Sequence, residues 1–381
     1  MTAPARPDLA GPLPPGSTIG ILGGGQLGRM SALAAAALGY RCHVFAPEAD
    51  SPGMQVAAAR TVAGYEDAAA LAAFAAAVDV VTFEFENVPA ATLDILAPLV
   101  PCRPGVAALR TGQDRLAEKR FAESIGLAVA PWREVTSLAE LHAAVAALGL
   151  PAVLKTTRLG YDGRGQAVLR GPEDLAPAFE RLAPRPLVLE AFVPFEREVS
   201  AIAARGIDGR IVTFDATENR HAHHILDLSI APAPVPAAVA AAARAAVARV
   251  AESLDLVGLV ALEMFLLPDG RLLVNEMAPR PHNSGHWTMD ACRIGQFEMH
   301  VRAVAGLPLP EPGRHHDAVM KNLVGPDSFA RWPELAAMGD VALHLYGKAE
   351  ARPGRKLGHA TRLLPLGAVA EARDSGALSP L

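Results

Sequence analysis

Residues 275–288 read Asn-Glu-Met-Ala-Pro-Arg-Pro-His-Asn-Ser-Gly-His-Trp-Thr, a carboxylate, an arginine and two histidines set around two prolines and a glycine. Packing rarely needs that density of polar groups, so the segment reads as a place where charge is handled. Just upstream, residues 260–267 and 271–277 are β-rich runs separated by Pro268-Asp269-Gly270, a hairpin signal. With Asp269-Gly270 as a two-residue loop, Glu263 lies directly opposite Glu276. Like charges facing each other on a sheet repel, and a divalent cation between them is the simplest remedy. So few hard oxygen ligands suit Mg2+, which keeps water and takes further ligands from substrate phosphates. Register decides this, because a three-residue loop would put the two carboxylates on opposite faces. Two solvated carboxylates on an exposed strand are the plain alternative.

Three further groups have the chemistry to meet anions. The strand at residues 18–22 runs into Gly23-Gly24-Gly25-Gln26-Leu27-Gly28 and an Ala-rich helix, an arrangement whose backbone amides can hold a phosphate. The same turn also serves plain strand-to-helix packing. Residues 158–165, with three glycines in six positions, form a loop that can lay amides over phosphates, and Lys155 on the strand before it adds a point charge. Arg352-Pro353-Gly354-Arg355-Lys356 is the densest basic group outside the N-terminal leader, and its proline and glycine favour a fixed turn.

The elements that must carry these groups follow from hydrophobic period and punctuation. Residues 41–45 form a second strand leading to Glu48, and residues 78–83 form another that ends in Glu84-Phe85-Glu86. Carboxylates there lie at the ligand edge of an open parallel sheet. Residues 113–125 read as a helix closed by Gly126, and residues 137–148 as one opened by a Ser137/Glu140 capping box. Beyond Pro151 the pattern turns to paired strands: residues 152–156, 166–169 and 187–193, the last carrying Glu190, with Glu198 beyond. A long helix at 236–253 precedes the acidic hairpin, and the part after His315 is short and strand-rich.

Length and composition bound the answer. A chain of 381 residues, 51% hydrophobic and 20% charged, has room for two or three domains with real cores. Its longest apolar runs fall far short of the roughly 20 residues of a membrane span. The first 16 residues hold five prolines and read as a disordered leader rather than a signal peptide. Three scattered cysteines argue against a disulfide framework and for a reducing compartment, the cytoplasm by default. Net charge is −5 with dispersed Lys and Arg, so no nucleic-acid footprint is present.

Taken in order, the glycine turn, Lys155, the glycine loop, Glu190, Glu198 and the acidic hairpin resemble the ATP-grasp superfamily. Within it, Gly160-Tyr161-Asp162-Gly163-Arg164-Gly165-Gln166, Asn219-x-His221, Asn275-Glu276 through His286, and Arg355-Lys356-x-Gly358-His359 resemble the 5-(carboxyamino)imidazole ribonucleotide synthases of purine biosynthesis. The likeness spans roughly residues 17–362. It implies an α/β and α+β architecture: a Rossmann-like domain at 17–112, an ATP-grasp domain at 113–310 whose glycine-loop lobe covers 127–193, and a small strand-rich domain at 311–381.

The resemblance also implies roles. Arg115, Lys155 and Gly160, Tyr161, Asp162, Gly163, Arg164, Gly165 and Gln166 would meet the ATP phosphates. Glu190, Ala191, Phe192 and Val193 would lie beside adenine, with Glu198 on the ribose and His221 near the nucleotide. Glu263 and Glu276 would hold Mg2+, with Asn275 beside them. The ribonucleotide would lie among Gln26, Leu27, Glu84, Asp162, Arg280, His282, Asn283, Ser284, Arg352, Arg355 and Lys356. Arg280, His282, Lys356 and Asp162 are the catalytic candidates. The implied reaction is ATP- and bicarbonate-dependent carboxylation of 5-aminoimidazole ribonucleotide through carboxyphosphate. Homodimers are common in that family, although no surface stripe in this chain derives one.

Departures stand beside the match. Leu159 sits where many members have a second glycine, Gly295 where a serine is expected, and His223-His224 where a turn-like Asp-Gly pair is expected. The competing ligase is the formate-dependent glycinamide ribonucleotide transformylase, which shares Pro-Arg-Pro-His but has a serine-rich loop and continues His-Asp-Thr-Gly, against His282-Asn283-Ser284-Gly285 here. A nicotinamide dehydrogenase would use only the first 100 or so residues and leave the acidic hairpin unexplained. A regulatory subunit with a decayed ATP site would not need both Glu263 and Glu276.

Overall fold

Three sheets organise the chain in a computed structural model that describes residues 11–160 and 165–375. The first is parallel, in the order β3-β2-β1-β4, from β1 Thr18–Leu22, β2 Arg41–Ala46, β3 Ala59–Val62 and β4 Val80–Phe83. Nearly unbroken burial along β1, β2 and β4 requires cover on both faces. The helix Gln26–Ala37 supplies part of it, and the distant helix Gln296–Ala305 packs against that helix and β4. Because Leu22 pairs with Phe83, the glycine turn and Glu84 leave the same sheet edge side by side.

The second sheet is antiparallel, in the order β5-β8-β6-β7, from β5 Trp132–Val135, β6 Ala152–Thr156, β7 Gln166–Leu169 and β8 Leu187–Ala191. Its apolar face is closed by the helices Leu138–Leu148 and Leu175–Leu182. Ser137 caps the first of these, accepting from the Glu140 amide at 3.2 Å, and the Glu140 carboxylate reaches back to the Thr136 amide at 2.7 Å with the Ser137 amide also acting on it. Strand β8 stops at Ala191, so Phe192 and Val193 lie beyond it. The helix expected at 113–125 begins at Arg115, because Asp114 accepts from the Leu116 and Ala117 amides at 2.9 and 3.2 Å. Gln113 instead ends a separate helix, Val106–Gln113.

The third sheet has nine strands: β9 Arg197–Arg205, β10 Ile211–Thr213, β11 Thr217–Ala222, β12 Ile225–Ala231, β13 Gly258–Leu266, β14 Leu272–Ala278, β15 Asp317–Val324, β16 Val341–Leu345 and β17 Lys356–Leu364. Their order is β14-β13-β9-β11-β12-β15-β17-β16, with β10 beside β9. The helix Ala237–Ser253 packs on β9 and β13 and closes the largest apolar cluster. The strands after His315 have no sheet of their own: β15 pairs with β12 and extends the central one. No described helix is long and apolar enough to cross a membrane.

The acidic hairpin corrects the expected two-residue loop. Leu266 pairs with Leu272 and Met264 with Val274, so the loop is residues 268–270, closed by the Leu267 amide on the Arg271 carbonyl at 2.9 Å. That register alone would put Glu263 opposite Asn275. A bulge at Asn275 inserts one residue into β14, and Glu263 faces Glu276 after all.

Candidate active site

Glu263 and Glu276 stand side by side on β13 and β14, and each meets a different cation. His282 Nε2 lies 3.0 Å from Glu263 Oε1, and Arg115 Nη1 lies 3.3 Å from Glu276 Oε2. Burial works against the Glu263 charge, but the His282 hydrogen bond and nearby positive groups outweigh it and hold its carboxyl down at about 2. Arg115 also donates from Nη2 to the Gly160 carbonyl at 3.1 Å, joining the hairpin to the root of the glycine loop. The Asn275 Oδ1 is buried and meets no hydrogen-bond partner among the described residues. Two carboxylates and an idle amide oxygen are a hard-oxygen donor set that fits Mg2+.

Next to the root of the glycine loop stand three charges, two of them buried and Lys155 partly so. Lys155 Nζ lies 2.8 Å from Glu190 Oε2, and Lys119 Nζ 3.1 Å from Glu190 Oε1. Burial would raise the Glu190 carboxyl, yet Lys155 and then Lys119 bring it to about 2, while burial lowers Lys155. Glu190 is thus tied by its carboxylate to two lysines, which leaves its backbone as what it can offer a ligand. Of the four adenine candidates Phe192 is exposed and Ala191 and Val193 partly so, the Ala191 amide donating to the Pro131 carbonyl at 2.8 Å. Glu198 and His221 meet at 2.6 Å through Nδ1, and that hydrogen bond outweighs burial and raises the His221 pKa. Asn219 is buried, its Oδ1 accepting from Ser229 Oγ at 3.0 Å. Gln166 pairs with Lys155 across β6 and β7, and Gly165 sits behind Thr156, which donates its amide to the Gly165 carbonyl. Leu159 takes the left-handed backbone (φ 61°) that glycine prefers, and its side chain is exposed. Tyr161, Asp162, Gly163 and Arg164 lie outside the described residues.

On the opposite side, the glycine turn already holds an acid. Both oxygens of the buried Glu84 are engaged by amides at the helix start, Oε1 by Gly25 and Oε2 by Gly28 at 2.7 Å. A Cβ on Gly25 would come within 2.7 Å of Glu84 Oε1, so the close approach requires glycine. Burial raises the Glu84 carboxyl, with those two amides opposing. Gln26 opens the helix, but the Leu27 side chain is packed with Met30, Phe297 and Tyr346, leaving only its backbone for a ligand.

Arg280 is ion-paired with Glu86 and donates to the Pro281 carbonyl at 3.0 Å. Next to it, Asn283 is buried with both amide atoms unpartnered among the described residues, and Ser284 Oγ lies 2.8 Å from His282 Nδ1. Residues 352–355 form the expected turn, the Arg355 amide donating to the Arg352 carbonyl at 3.1 Å. Two of its cations meet the same residue: Arg352 Nε pairs with the Glu350 carboxylate at 2.9 Å, and Arg355 Nη1 donates to the Glu350 carbonyl at 3.1 Å. Lys356, at the start of β17, is close enough to help hold Glu263 ionised.

A single cleft runs past Glu86, Arg115, Gly160, Glu276 and Arg280, joining the acidic hairpin, the root of the glycine loop and the arginine turn. Two of its neighbours escape the sequence pattern. Glu118 and Lys119 are buried at 4% and 2% exposure, where an amphipathic helix should place apolar groups. The available signal was spacing: Arg115, Glu118 and Lys119 at i, i+3 and i+4 share one helix face.

Residues 120–297 match the ATP-grasp domain, residues 17–113 the ribonucleotide synthetase preATP-grasp domain, and residues 318–373 the phosphoribosylaminoimidazole carboxylase C-terminal domain. The chain is 51% identical over 355 residues to the N5-carboxyaminoimidazole ribonucleotide synthase of Brucella melitensis, covering 93% of this chain and 98% of that one. An ADP complex of an N5-carboxyaminoimidazole ribonucleotide synthetase is similar at a TM-score of 0.91 and 42% identity, over 96% of this chain and 97% of that one. The N5-carboxyaminoimidazole synthase of Aspergillus clavatus, in complex with ADP and 5-aminoimidazole ribonucleotide, is similar at a TM-score of 0.88 and 30% identity, over 95% and 97% of the two chains. With one cleft joining the acidic hairpin to the root of the glycine loop, and with relatives alike from end to end, the chain belongs to the N5-carboxyaminoimidazole ribonucleotide synthases, ATP-grasp ligases of purine biosynthesis.

Proposed function

We propose that this chain transfers carboxyl from bicarbonate to the exocyclic amine of 5-aminoimidazole ribonucleotide, converting ATP to ADP and phosphate. The observation that carries the reading is the cleft itself: Glu276, Arg115, Gly160 and Arg280 line it, and Glu263 faces Glu276 across the hairpin with His282 against it. Bicarbonate is a poor electrophile. Transfer of the ATP γ-phosphoryl group to one of its oxygens gives ADP and carboxyphosphate, whose carboxyl carbon accepts the amine as the bond to phosphate oxygen breaks. The amine loses one proton in that step.

In this reading Lys155 and Arg115 bind the phosphates, with Gly160 to Gln166 as cover that excludes water. The segment from Glu190 to Val193 lies beside adenine, and Glu198 takes the ribose with His221 against it. Glu263 and Glu276 hold Mg2+, which supplies charge neutralisation to the phosphates when bound. Gln26, Glu84, Asn283, Ser284, Arg352 and Arg355 face the ribonucleotide. Arg280, His282, Lys356 and Asp162 hold the anion, and the amine proton leaves to a base among His282, Lys356 and Asp162 rather than to the guanidinium, which has no acceptor.

We also infer a cytoplasmic homodimer, since the three cysteines are unpaired and homodimers are common in the family. Light scattering should then return twice the chain mass of 39.7 kDa; a monomer mass would dismiss the dimer.

With ATP, Mg2+, bicarbonate and 5-aminoimidazole ribonucleotide, the protein should release ADP and phosphate and consume the amine. Formate with glycinamide ribonucleotide should not replace that pair. Turnover with the formate pair and none with the bicarbonate pair would overturn the reading.

A further inference from the structure

Gln296 opens the helix Gln296–Ala305 and is completely buried. Its Oε1 accepts from the His282 amide at 2.9 Å, and its Nε2 donates to the His282 carbonyl at 2.8 Å. The same Nε2 lies 2.8 Å from His286 Nδ1. Both amide hydrogens and the oxygen are therefore engaged. The side chain has one orientation, since turning it over would face its NH2 to an N–H and its oxygen to a carbonyl. Gly285 completes the seat, because a Cβ there would come within 2.7 Å of Gln296 Oε1. The helix start is tied to the same turn: the Gln296 amide donates to Thr288 Oγ1 at 2.9 Å, and that hydroxyl to the Gly285 carbonyl at 2.6 Å.

With its backbone clamped on both sides, the His282 ring has two distinguishable nitrogens. Nδ1 accepts from the Ser284 amide at 3.3 Å and faces Ser284 Oγ at 2.8 Å, and that oxygen accepts from Ser200 Oγ at 2.9 Å. A nitrogen that accepts a backbone N–H carries no proton. The ring proton is therefore on Nε2, 3.0 Å from Glu263 Oε1.

We propose that Gln296 is a positioning residue: by fixing both peptide groups of His282 it holds the Nε2–H of that ring against Glu263 and beside the Arg280 turn. The inference rests on the reading of His282 as part of the reaction site. Gln296 touches that site only through the backbone of His282, so its removal should act as a displacement of the ring, and displacements of about 1 Å cost on the order of a hundredfold in rate.

Two variants test it. Gln296→Met keeps the length without the hydrogen bonds, and Gln296→Asn keeps an amide one methylene short, which guards against a variant that does not fold. In either, kcat for consumption of 5-aminoimidazole ribonucleotide should fall about ten- to a hundredfold while KM for ATP stays within about twofold. In a His282→Ala background, Gln296→Asn should cost nothing further. Unchanged kcat in Gln296→Asn, or losses that add in the double variant, would overturn the proposal. Long-range proton–nitrogen spectra of the histidine rings, with the His282 signal identified by its loss in His282→Ala, give a readout without turnover. The parent chain should show the Nε2–H tautomer and Gln296→Asn an averaged one; an unchanged His282 signal overturns the inference whatever the substrate. Failure of the parent chain to consume 5-aminoimidazole ribonucleotide would count against the proposed reaction instead.

Discussion

Glu118 is 4% exposed on the inner face of the helix Arg115–Ser124, with Oε1 engaged by the Met277 amide. It thereby anchors the residue next to Glu276, and burial followed by the Glu276 charge raises its carboxyl from 4.5 to about 8. The sign of the consequence follows from proton counts. Between pH 4.5 and about 8 the unfolded chain has released a proton that the folded chain keeps. Stability from this group is therefore full below the first value and declines as pH rises to the second, at a slope of at most about 1.4 kcal/mol per pH unit. Glu118→Gln should flatten that part of the profile. Denaturant midpoints for both proteins at several pH values across the window decide it, and parallel curves would show that Glu118 does not titrate as the site requires.

At the scale of elements, two hairpins of the central sheet solve their turns differently. Strands β13 and β14 combine a three-residue loop with a bulge, two irregularities that together return the carboxylates to one face. Strands β11 and β12 are joined by the two residues His223 and His224, at φ 51° and 65°. A two-residue hairpin of this hand wants both central residues in the left-handed region, where Asn-Gly is at ease and histidine is strained by about 1 to 2 kcal/mol. Both histidines are exposed. Replacing the pair by Asn-Gly should accordingly raise stability by about 1 to 3 kcal/mol, read as a higher denaturation midpoint. A midpoint that stays or falls would mean the histidines hold the turn by contacts of their own. Gly295 has a steric explanation: a Cβ there would come 3.0 Å from the Met289 Cα, while the Thr288 hydroxyl accepts the first amide of the helix, that of Gln296, at 2.9 Å.

On the scale of the whole molecule, the proposed site borrows from parts of the chain far apart in sequence. The glycine turn and Glu84 come from the first sheet, Lys155 from the second, and Glu263, Glu276 and Lys356 from the third. Continuity of the central sheet through β12 and β15 is what carries β17, and with it Lys356, toward the acidic hairpin. Lys356→Ala should therefore damage carbon transfer far more than nucleotide binding. Losing one charge-assisted contact costs on the order of 1.5 to 3 kcal/mol, or roughly ten- to a hundredfold in transition-state stabilisation. Calorimetry with ATP, set beside kinetics at varied ribonucleotide, makes the comparison. Weakened ATP binding with an unchanged ribonucleotide dependence would reassign Lys356 to the nucleotide.

Local rules made much of this chain legible from its residues. Glycine turns, capping residues and apolar runs mark the strands at 18–22, 41–45, 152–156 and 166–169, the helix at 236–253 and the acidic hairpin, and order along the chain was enough for the family resemblance. The Glu263–Glu276 pairing was also foreseen, although through a loop that is not there: the bulge at Asn275 leaves no pattern in hydrophobicity, because the extra residue is absorbed by backbone geometry. Partner choice among charges was not legible either. Spacing shows that Glu84, Glu190 and Arg352 are available. Only the packed structure decides that Glu84 turns to the glycine amides, Glu190 to two lysines and Arg352 to Glu350. The same holds for Gln296, whose hold on His282 no local pattern signals. A side chain's chemistry is written in its type, whereas its partner is whatever burial and register bring within hydrogen-bond reach, and that is a property of the tertiary fold.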